Sequence, residues 1–262
     1  MKTNYHTHNY RCNHAVGTIK EYVEEAIKEG YDVIGLSDHL PHPGKNIDNE
    51  NRMKYEDLPE YFKEIDKVKE MYGDKIEIKK GIECEYFPDF LWLYDELKEK
   101  FKVDYLILGA HFFPYNGKWF YIGSYLTPDS LEKYVDFVLE SMESGLFAYI
   151  AHPDLFGSGY RDWDEHSIKA SRRILKKAEE LDMPIEININ GFKKRKIKYN
   201  NGERYMYPIR EFWELSKEYN VKRIIGVDAH KPEDMRDFKI AVDFANELGL
   251  KIIDKIELNN KL

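Results

Sequence analysis

The feature that most restricts the fold of this chain is an alternation between two hydrophobic periods. Short β-type apolar runs lie at about 3–8, 32–39, 76–86, 103–111, 147–153, 184–190 and 223–230, and amphipathic helical patterns separate nearly all of them. Alternating units of this kind build a parallel sheet, because each helix carries the chain back across a face before the next strand begins, and such crossovers are right-handed. The helices carry their own punctuation. Thr18 caps a segment through Glu29 whose stripe is Tyr22, Val23, Ala26 and Ile27, and Gly30 stops it. Thr127-Pro128-Asp129 opens another that ends at Gly145. With 262 residues, no linker and no fixed-period repeat, the expectation is a single α/β domain over residues 1–262, its seven units closed or nearly closed into a barrel.

The unusual residues fall at one end of those runs. Val33-Ile34-Gly35-Leu36-Ser37 leads into Asp38-His39, Gly81-Ile82 into Glu83, and Leu106-Ile107-Leu108-Gly109-Ala110 into His111. Ala148-Tyr149-Ile150-Ala151 leads into His152-Pro153, and Ile224-Ile225-Gly226-Val227 into Asp228-Ala229-His230. In a parallel barrel the strand C-termini share one rim, so these groups converge in space although they are scattered in sequence. The first run contributes His6 and His8, which are two apart on a strand and project the same way, with His14 a short loop later. Seven of the nine histidines belong to this set. Reading each as a satisfied core or loop histidine would require the same coincidence seven times at the same strand end. Imidazoles and carboxylates gathered this way suit borderline first-row cations.

Composition narrows the function classes. Lys and Arg total 40 against 48 Asp and Glu, a net charge of -8, which argues against a global attraction to nucleic acid or an anionic membrane. The first histidine stands at position 6, no run of about 18 apolar residues is present, and the two cysteines, Cys12 and Cys84, are too few for a disulfide scaffold. A soluble, cytoplasmic protein without membrane partners is the expectation.

The ordered motifs His6-Thr7-His8, His14, Ser37-Asp38-His39, Gly81-Ile82-Glu83, His111, Ala151-His152-Pro153 and Asp228-Ala229-His230 resemble the polymerase and histidinol phosphatase (PHP) family of metal-dependent phosphoesterases. Cys12-Asn13-His14-Ala15, Asp38-His39-Leu40-Pro41 and Glu186-Ile187-Asn188 with Gly191 look like its histidinol-phosphatase branch. The resemblance implies a distorted (β/α)7 barrel with three divalent zinc, iron or manganese ions at the rim. Carried over by residue, His6, His8, Glu83 and Asp228 hold one ion; Glu83, His111 and His152 a second; His14, His39 and His230 a third. Glu83 bridges the first two. The implied reaction is hydrolysis of a small phosphate monoester, L-histidinol phosphate, by a metal-bridging hydroxide. Asp228 or His230 is placed to protonate the leaving alkoxide.

Other residues are positioned by the same logic. Arg161, after Gly157-Ser158-Gly159, and Lys193, beyond Ile187-Asn188-Ile189-Asn190, are the expected phosphate contacts. Related enzymes carry an arginine where Lys193 stands, so a point charge would replace a fork. The run Lys193–Lys198 reads as a hydrated face or, on a long loop above the rim, as an attractor of an anionic substrate. His42 is expected to line the substrate pocket, Asp38 to orient an imidazole, Glu85 to meet a substrate amine, and Glu186 and Asn188 to support the ligands. Cys84 points away from Glu83, Cys12 flanks candidate ligands, and His166 is expected to face solvent. The segment 43–55 is a candidate lid. Two other classes compete with the small-molecule phosphatase. A nuclease or nucleotide phosphoesterase predicts a basic groove with stacking aromatics, and a non-enzymatic metal-binding domain predicts missing ligands.

Overall fold

A computed structural model describes residues 1–42, 47 and 49–258. Seven strands form one parallel sheet in chain order: β1 (Thr3–Asn4), β2 (Val33–Leu36), β3 (Glu77–Cys84), β4 (Tyr105–Leu108), β5 (Tyr149–Ile150), β6 (Ile185–Asn188) and β7 (Arg223–Gly226). Long β3 holds the sheet together by pairing with β2 through its first half, Val33 opposite Glu77, and with β4 through its second, Gly81 opposite Tyr105. Around the outside run α1 (Ile19–Lys28), α2 (Leu58–Tyr72), α3 (Leu91–Glu99), α4 (Pro128–Glu143), α5 (Glu165–Glu180), α6 (Ile189–Lys193), α7 (Arg210–Leu215) and α8 (Phe238–Leu248). Thr18 and Thr127 cap α1 and α4 through reciprocal boxes with Glu21 and Ser130, and their apolar stripes are buried against the sheet. No helix among the described residues is long and apolar enough to cross a membrane.

The barrel is nearly closed, and the seam explains why β1 is shorter than its apolar run. Beyond Asn4 the ladder between first and last strands is partly made by a side chain. Asn4 Oδ1 accepts from Val227 N at 2.9 Å, while its amide donates to His6 O at 3.1 Å and Thr7 Oγ1 at 2.8 Å. Nearer the rim His8 N donates to Ala229 O at 2.9 Å, and Thr7 bridges Ala229 in parallel.

Inside the lumen lie Tyr5, Val33, Tyr105, Ile107, Tyr149, Ala151 and Ile224, all buried. The Tyr105 hydroxyl donates to Tyr5 O at 2.6 Å, and the two rings meet edge to face at 5.6 Å. Ile256, from the segment after α8, joins this cluster among residues that begin the strands and so seals the N-terminal end.

Two antiparallel hairpins were not expected. The first pairs Phe112–Tyr115 with Lys118–Tyr121 around Asn116-Gly117, both with positive φ. An Asn-Gly step between β-prone runs is a strong type I′ turn signal, and it was present in the sequence. The second pairs Lys196–Tyr199 with Gly202–Tyr205, so the basic run is the end of α6 followed by a strand and not a long loop.

Candidate metal centre

The strand ends place the expected groups together. Glu83, at the end of β3, sits at the middle of a ring of imidazoles and is 1% exposed. Its Oε1 lies 3.0 Å from His152 Nε2 and 3.4 Å from His111 Nε2. Its Oε2 lies 3.3 Å from His6 Nε2, 3.5 Å from His8 Nε2 and 3.1 Å from His39 Nδ1. One carboxylate therefore presents its two oxygens to two different groups of nitrogens. Asp228 Oδ1 lies 3.1 Å from His8 Nε2 and 3.5 Å from His6 Nε2. His230 completes the ring through its 4.4 Å approach to the His8 ring.

Room for these carboxylates comes from glycines. A Cβ on Gly109 would lie 2.4 Å from Glu83 Oε1, and one on Gly226 would lie 2.2 Å from Glu186 Oε2. Backbone strain adds to the placement. His152 and Asp228 hold φ of 30° and 50°, a region that non-glycine residues enter at a cost and that clusters at functional sites.

Behind the ring stands a layer of acceptors that fixes the imidazoles. His6 Nδ1 meets Glu186 at 2.9 Å, His8 Nδ1 meets Asp38 at 3.3 Å, and His111 Nδ1 meets Glu85 at 3.1 Å. His14 Nδ1 lies 2.8 Å from Cys12 O, and His230 Nδ1 lies 2.9 Å from Asp228 O. With Nδ1 as the donor in each, Nε2 presents its lone pair to the centre, the arrangement usual for ligating histidines. Asn188 and Asn190 both donate to Asp228 Oδ2 at 3.1 Å, leaving Oδ1 for the ring.

The donor set fits cations. His6 Nε2 and His8 Nε2 are 3.1 Å apart, so two lone pairs face each other there unless a proton or a cation lies between them. Glu83 Oε2, Asp228 Oδ1 and His39 Nδ1 are buried and make no hydrogen bond among the described residues. Unsatisfied buried acceptors facing one another are costly unless something positive sits between them. Burial alone would raise the Glu83 carboxyl, but the charges of His6, His111 and His39 hold it well below the usual carboxylate range. Asp228 is likewise pushed up by burial and held well below by His6 and His230. Burial and the neighbouring His8 lower His230 to about 4.

Ligating atoms close enough to share an ion group as His6, His8 and Asp228; His6, Glu83 and His152; His39, Glu83 and His111; His8, His39 and His230; and His8, Cys12 and Asp38. These share members with the three sets carried over by resemblance, but His111 and His152 fall in separate groups and His14 stands outside all five. It is exposed, stacked on His39 at 5.3 Å and 4.8 Å from the His230 ring.

A cavity of about 720 Å³ opens over the centre. Its cations are Arg161, Lys194, Arg195 and Arg52, and its aromatic walls are Phe112, Tyr121 and Tyr207. Arg161 lines this cavity. Lys193 is not on this wall. Its ammonium pairs with Asp234 and Asp237, each at 2.6 Å, so α6 turns the lysine outward and the next two cations face the cavity. His42 is also displaced from the cavity lining. It is buried against the Phe87 ring at 3.9 Å, with Nε2 3.7 Å from Glu85. Glu85 is closed to a substrate amine, because the buried Arg52 guanidinium donates to both its oxygens at 2.9 and 3.0 Å. Of the candidate lid, residues 43–46 and 48 lie outside the described residues. Its distal part is anchored by Arg52, which also donates to Leu40 O at 3.0 Å. Both cysteines are free and buried, and His166 is half exposed beside Glu165.

A nearly closed parallel α/β barrel with histidines and carboxylates crowded at its C-terminal rim defines the class. The chain belongs to the PHP domain family, whose model matches residues 4–190. It is 28% identical over 240 residues to a probable histidinol-phosphatase of Deinococcus radiodurans, covering 88% of this chain and 86% of that one. It is 25% identical to a histidinol-phosphatase of Bacillus subtilis, covering 90% and 96%. Its fold matches the histidinol phosphate phosphatase of Lactococcus lactis, solved with zinc, L-histidinol and phosphate, at TM-score 0.73 and 18% identity over 98% of each chain.

Proposed function

We propose that this chain is a metal-dependent phosphomonoesterase that hydrolyses L-histidinol phosphate to L-histidinol and phosphate. The observation that carries the reading is Glu83, whose two oxygens each face a separate set of imidazoles beneath a cavity walled by cations. His6, His8, Glu83 and Asp228, then Glu83, His111 and His152, then His14, His39 and His230 would hold three divalent ions. Bound there, zinc, iron or manganese supplies Lewis-acid polarisation of the phosphoryl oxygens and lowers the pKa of water.

The protein's own groups do the rest. Arg161, Lys194 and Arg195 attract and orient the phosphate dianion and stabilise the charge that grows in the transition state. Glu186, Asp38 and Glu85 hold the imidazoles in register. Asp228 or His230, 3.4 Å apart on the cavity wall and both held deprotonated by their surroundings, would take the proton given up by the attacking water and pass it to the leaving alkoxide. The half-exposed Phe112–Tyr121 pair, rings 5.3 Å apart, gives the organic part of the substrate an aromatic surface. The cavity volume suits a small molecule and favours this reading over a nuclease.

The test is release of inorganic phosphate by metal-reconstituted protein from histidinol phosphate, nucleotides and single-stranded DNA. A kcat/KM for histidinol phosphate about two orders of magnitude above the others is expected. A preference for DNA overturns the assignment.

A further inference from the structure

The cation wall of the cavity is assembled from segments distant in sequence, and one buried side chain joins them. Arg204, in the second hairpin, is 7% exposed, and its guanidinium joins two backbone segments, 157–161 and 205–206. Nη1 donates to Tyr205 O at 2.7 Å and Met206 O at 2.9 Å. Nη2 donates to Gly157 O at 3.1 Å, Tyr160 O at 3.4 Å and Arg161 O at 2.7 Å. The acceptors are all carbonyl oxygens, and Arg204 makes no ion pair among the described residues. Two other arginines among the described residues are buried to this degree. Arg52 pairs with Glu85, whereas Arg223 ties Val221 and Ser216 at the far end of the barrel.

The segments that Arg204 joins carry the cavity's phosphate side. Gly157 to Arg161 brings Ser158 and Arg161 to the lining, Met206 and Tyr207 follow the hairpin, and Lys194 and Arg195 lead into it. A guanidinium forks to several acceptors in a fixed plane, so the spacing of those carbonyls is set by one rigid group. Burial of a cation without a hydrogen-bonded carboxylate is expensive, so the five carbonyl bonds are what hold the guanidinium in place.

We propose that Arg204 is a positioning residue for substrate phosphate, acting through the backbone of Arg161 and of Met206 to hold the cation wall in its binding geometry. This rests on the phosphatase reading above. Arg204 does not line the cavity and touches no reacting atom. It sets how tightly the phosphoryl group is held, and leaves the imidazole and carboxylate ring untouched.

The test uses full-length, metal-loaded protein and inorganic phosphate as an inhibitor alongside histidinol phosphate. Arg204→Gln is expected to raise both KM and the inhibition constant for phosphate about tenfold or more, with kcat changed less than about threefold and metal content per chain unchanged. Arg204→Lys, which keeps the charge but not the fork, should fall between the two and serves as the measurement if the glutamine variant does not fold. Unchanged KM and inhibition constant in the lysine variant, with only a lower thermal midpoint, make Arg204 a structural group and overturn the proposal. Loss of metal or of kcat at unchanged KM overturns it equally. Arg161→Ala separates the two readings. If that variant also keeps its KM and phosphate inhibition, the phosphate wall itself is wrongly assigned and the proposal falls with it.

Discussion

The two ends of one barrel lumen are built on opposite principles. At the N-terminal end Tyr5, Tyr105, Tyr149 and Ile224 fill the space and Ile256 seals it, so the side chains are held by packing, with the Tyr105 hydroxyl donating to Tyr5 O and the Tyr5 and Tyr149 hydroxyls buried without a hydrogen bond among the described residues. At the C-terminal rim the lumen is filled by imidazoles and carboxylates, and several of their buried polar atoms, Glu83 Oε2, Asp228 Oδ1 and His39 Nδ1, lack hydrogen-bond partners among the described residues. The floor stabilises the fold through dispersion and apolar burial, while the rim spends part of that stability on groups that want a cation. Substitutions should therefore separate cleanly. Rim changes should cost chemistry with little loss of fold, and floor changes should cost fold with little loss of chemistry per folded molecule.

The largest expected effect is at the rim. Glu83→Ala removes the one group that faces both sets of imidazoles, and should lower activity by more than about 10³-fold, beyond the loss typical of an outer-shell partner. Circular dichroism should stay near normal. Full activity in that variant would end the bridging role and with it the contrast between the ends.

On the floor, Tyr105→Ala should destabilise the protein by about 3–5 kcal/mol in urea unfolding, because a fully buried ring is replaced by a cavity. Activity per folded molecule should remain within a few fold. If metal content collapsed instead while the unfolding midpoint held, floor and rim would be one cooperative unit.

How much of this could be read from the chain alone follows from the range of each signal. The strand-and-helix alternation and the polar group closing each strand are local patterns, and both carried through to the barrel and its crowded rim. The ends of the strands were less legible, because Asn4 replaces ladder bonds at the seam from the opposite side of the barrel. Pairings between distant residues left no trace in periodicity. Lys193 is drawn outward by Asp234 and Asp237 some forty positions later, and Glu85 is closed by Arg52 from a different loop. The positive φ of His152 and Asp228 likewise arises from the site they serve. The Asn116-Gly117 turn is a local signal, but the strands it joins are only four residues each and stand out little beside the seven longer runs.

On the rim side, two residues beyond His152, lies Asp154, whose buried Oδ2 accepts from Ile209 N at 2.5 Å and Trp213 Nε1 at 3.1 Å. Burial pushes its carboxyl up to about 6 from 3.8, against the pull of those donors. A raised folded value means that its stabilisation is fully present below about 3.8 and is lost as pH rises through about 6. Asp154→Asn removes the buried charge, so the variant should gain on the parent protein between pH 4 and 8 by on the order of 3 kcal/mol in urea unfolding. A difference that does not vary with pH would show the carboxylate to be as easily ionised as a floor group is not.

The smallest effect should come from the acceptor layer, where floor and rim meet. Glu186 is fully buried, takes His6 Nδ1 at 2.9 Å and Asn188 Nδ2 at 2.6 Å, and depends on the absence of a side chain at Gly226. Glu186→Gln keeps the volume and one acceptor oxygen but removes the charge that strengthens the His6 donor bond and so the basicity of Nε2. Metal affinity should fall about 10–100-fold by competition with a chromophoric chelator, while the metal-free unfolding midpoint barely moves. Because the substitution is nearly isosteric, a large loss of fold would mean that the carboxylate belongs to the packed end. Unchanged affinity would mean that His6 is held by packing alone, and the rim would then need no supporting layer at that corner.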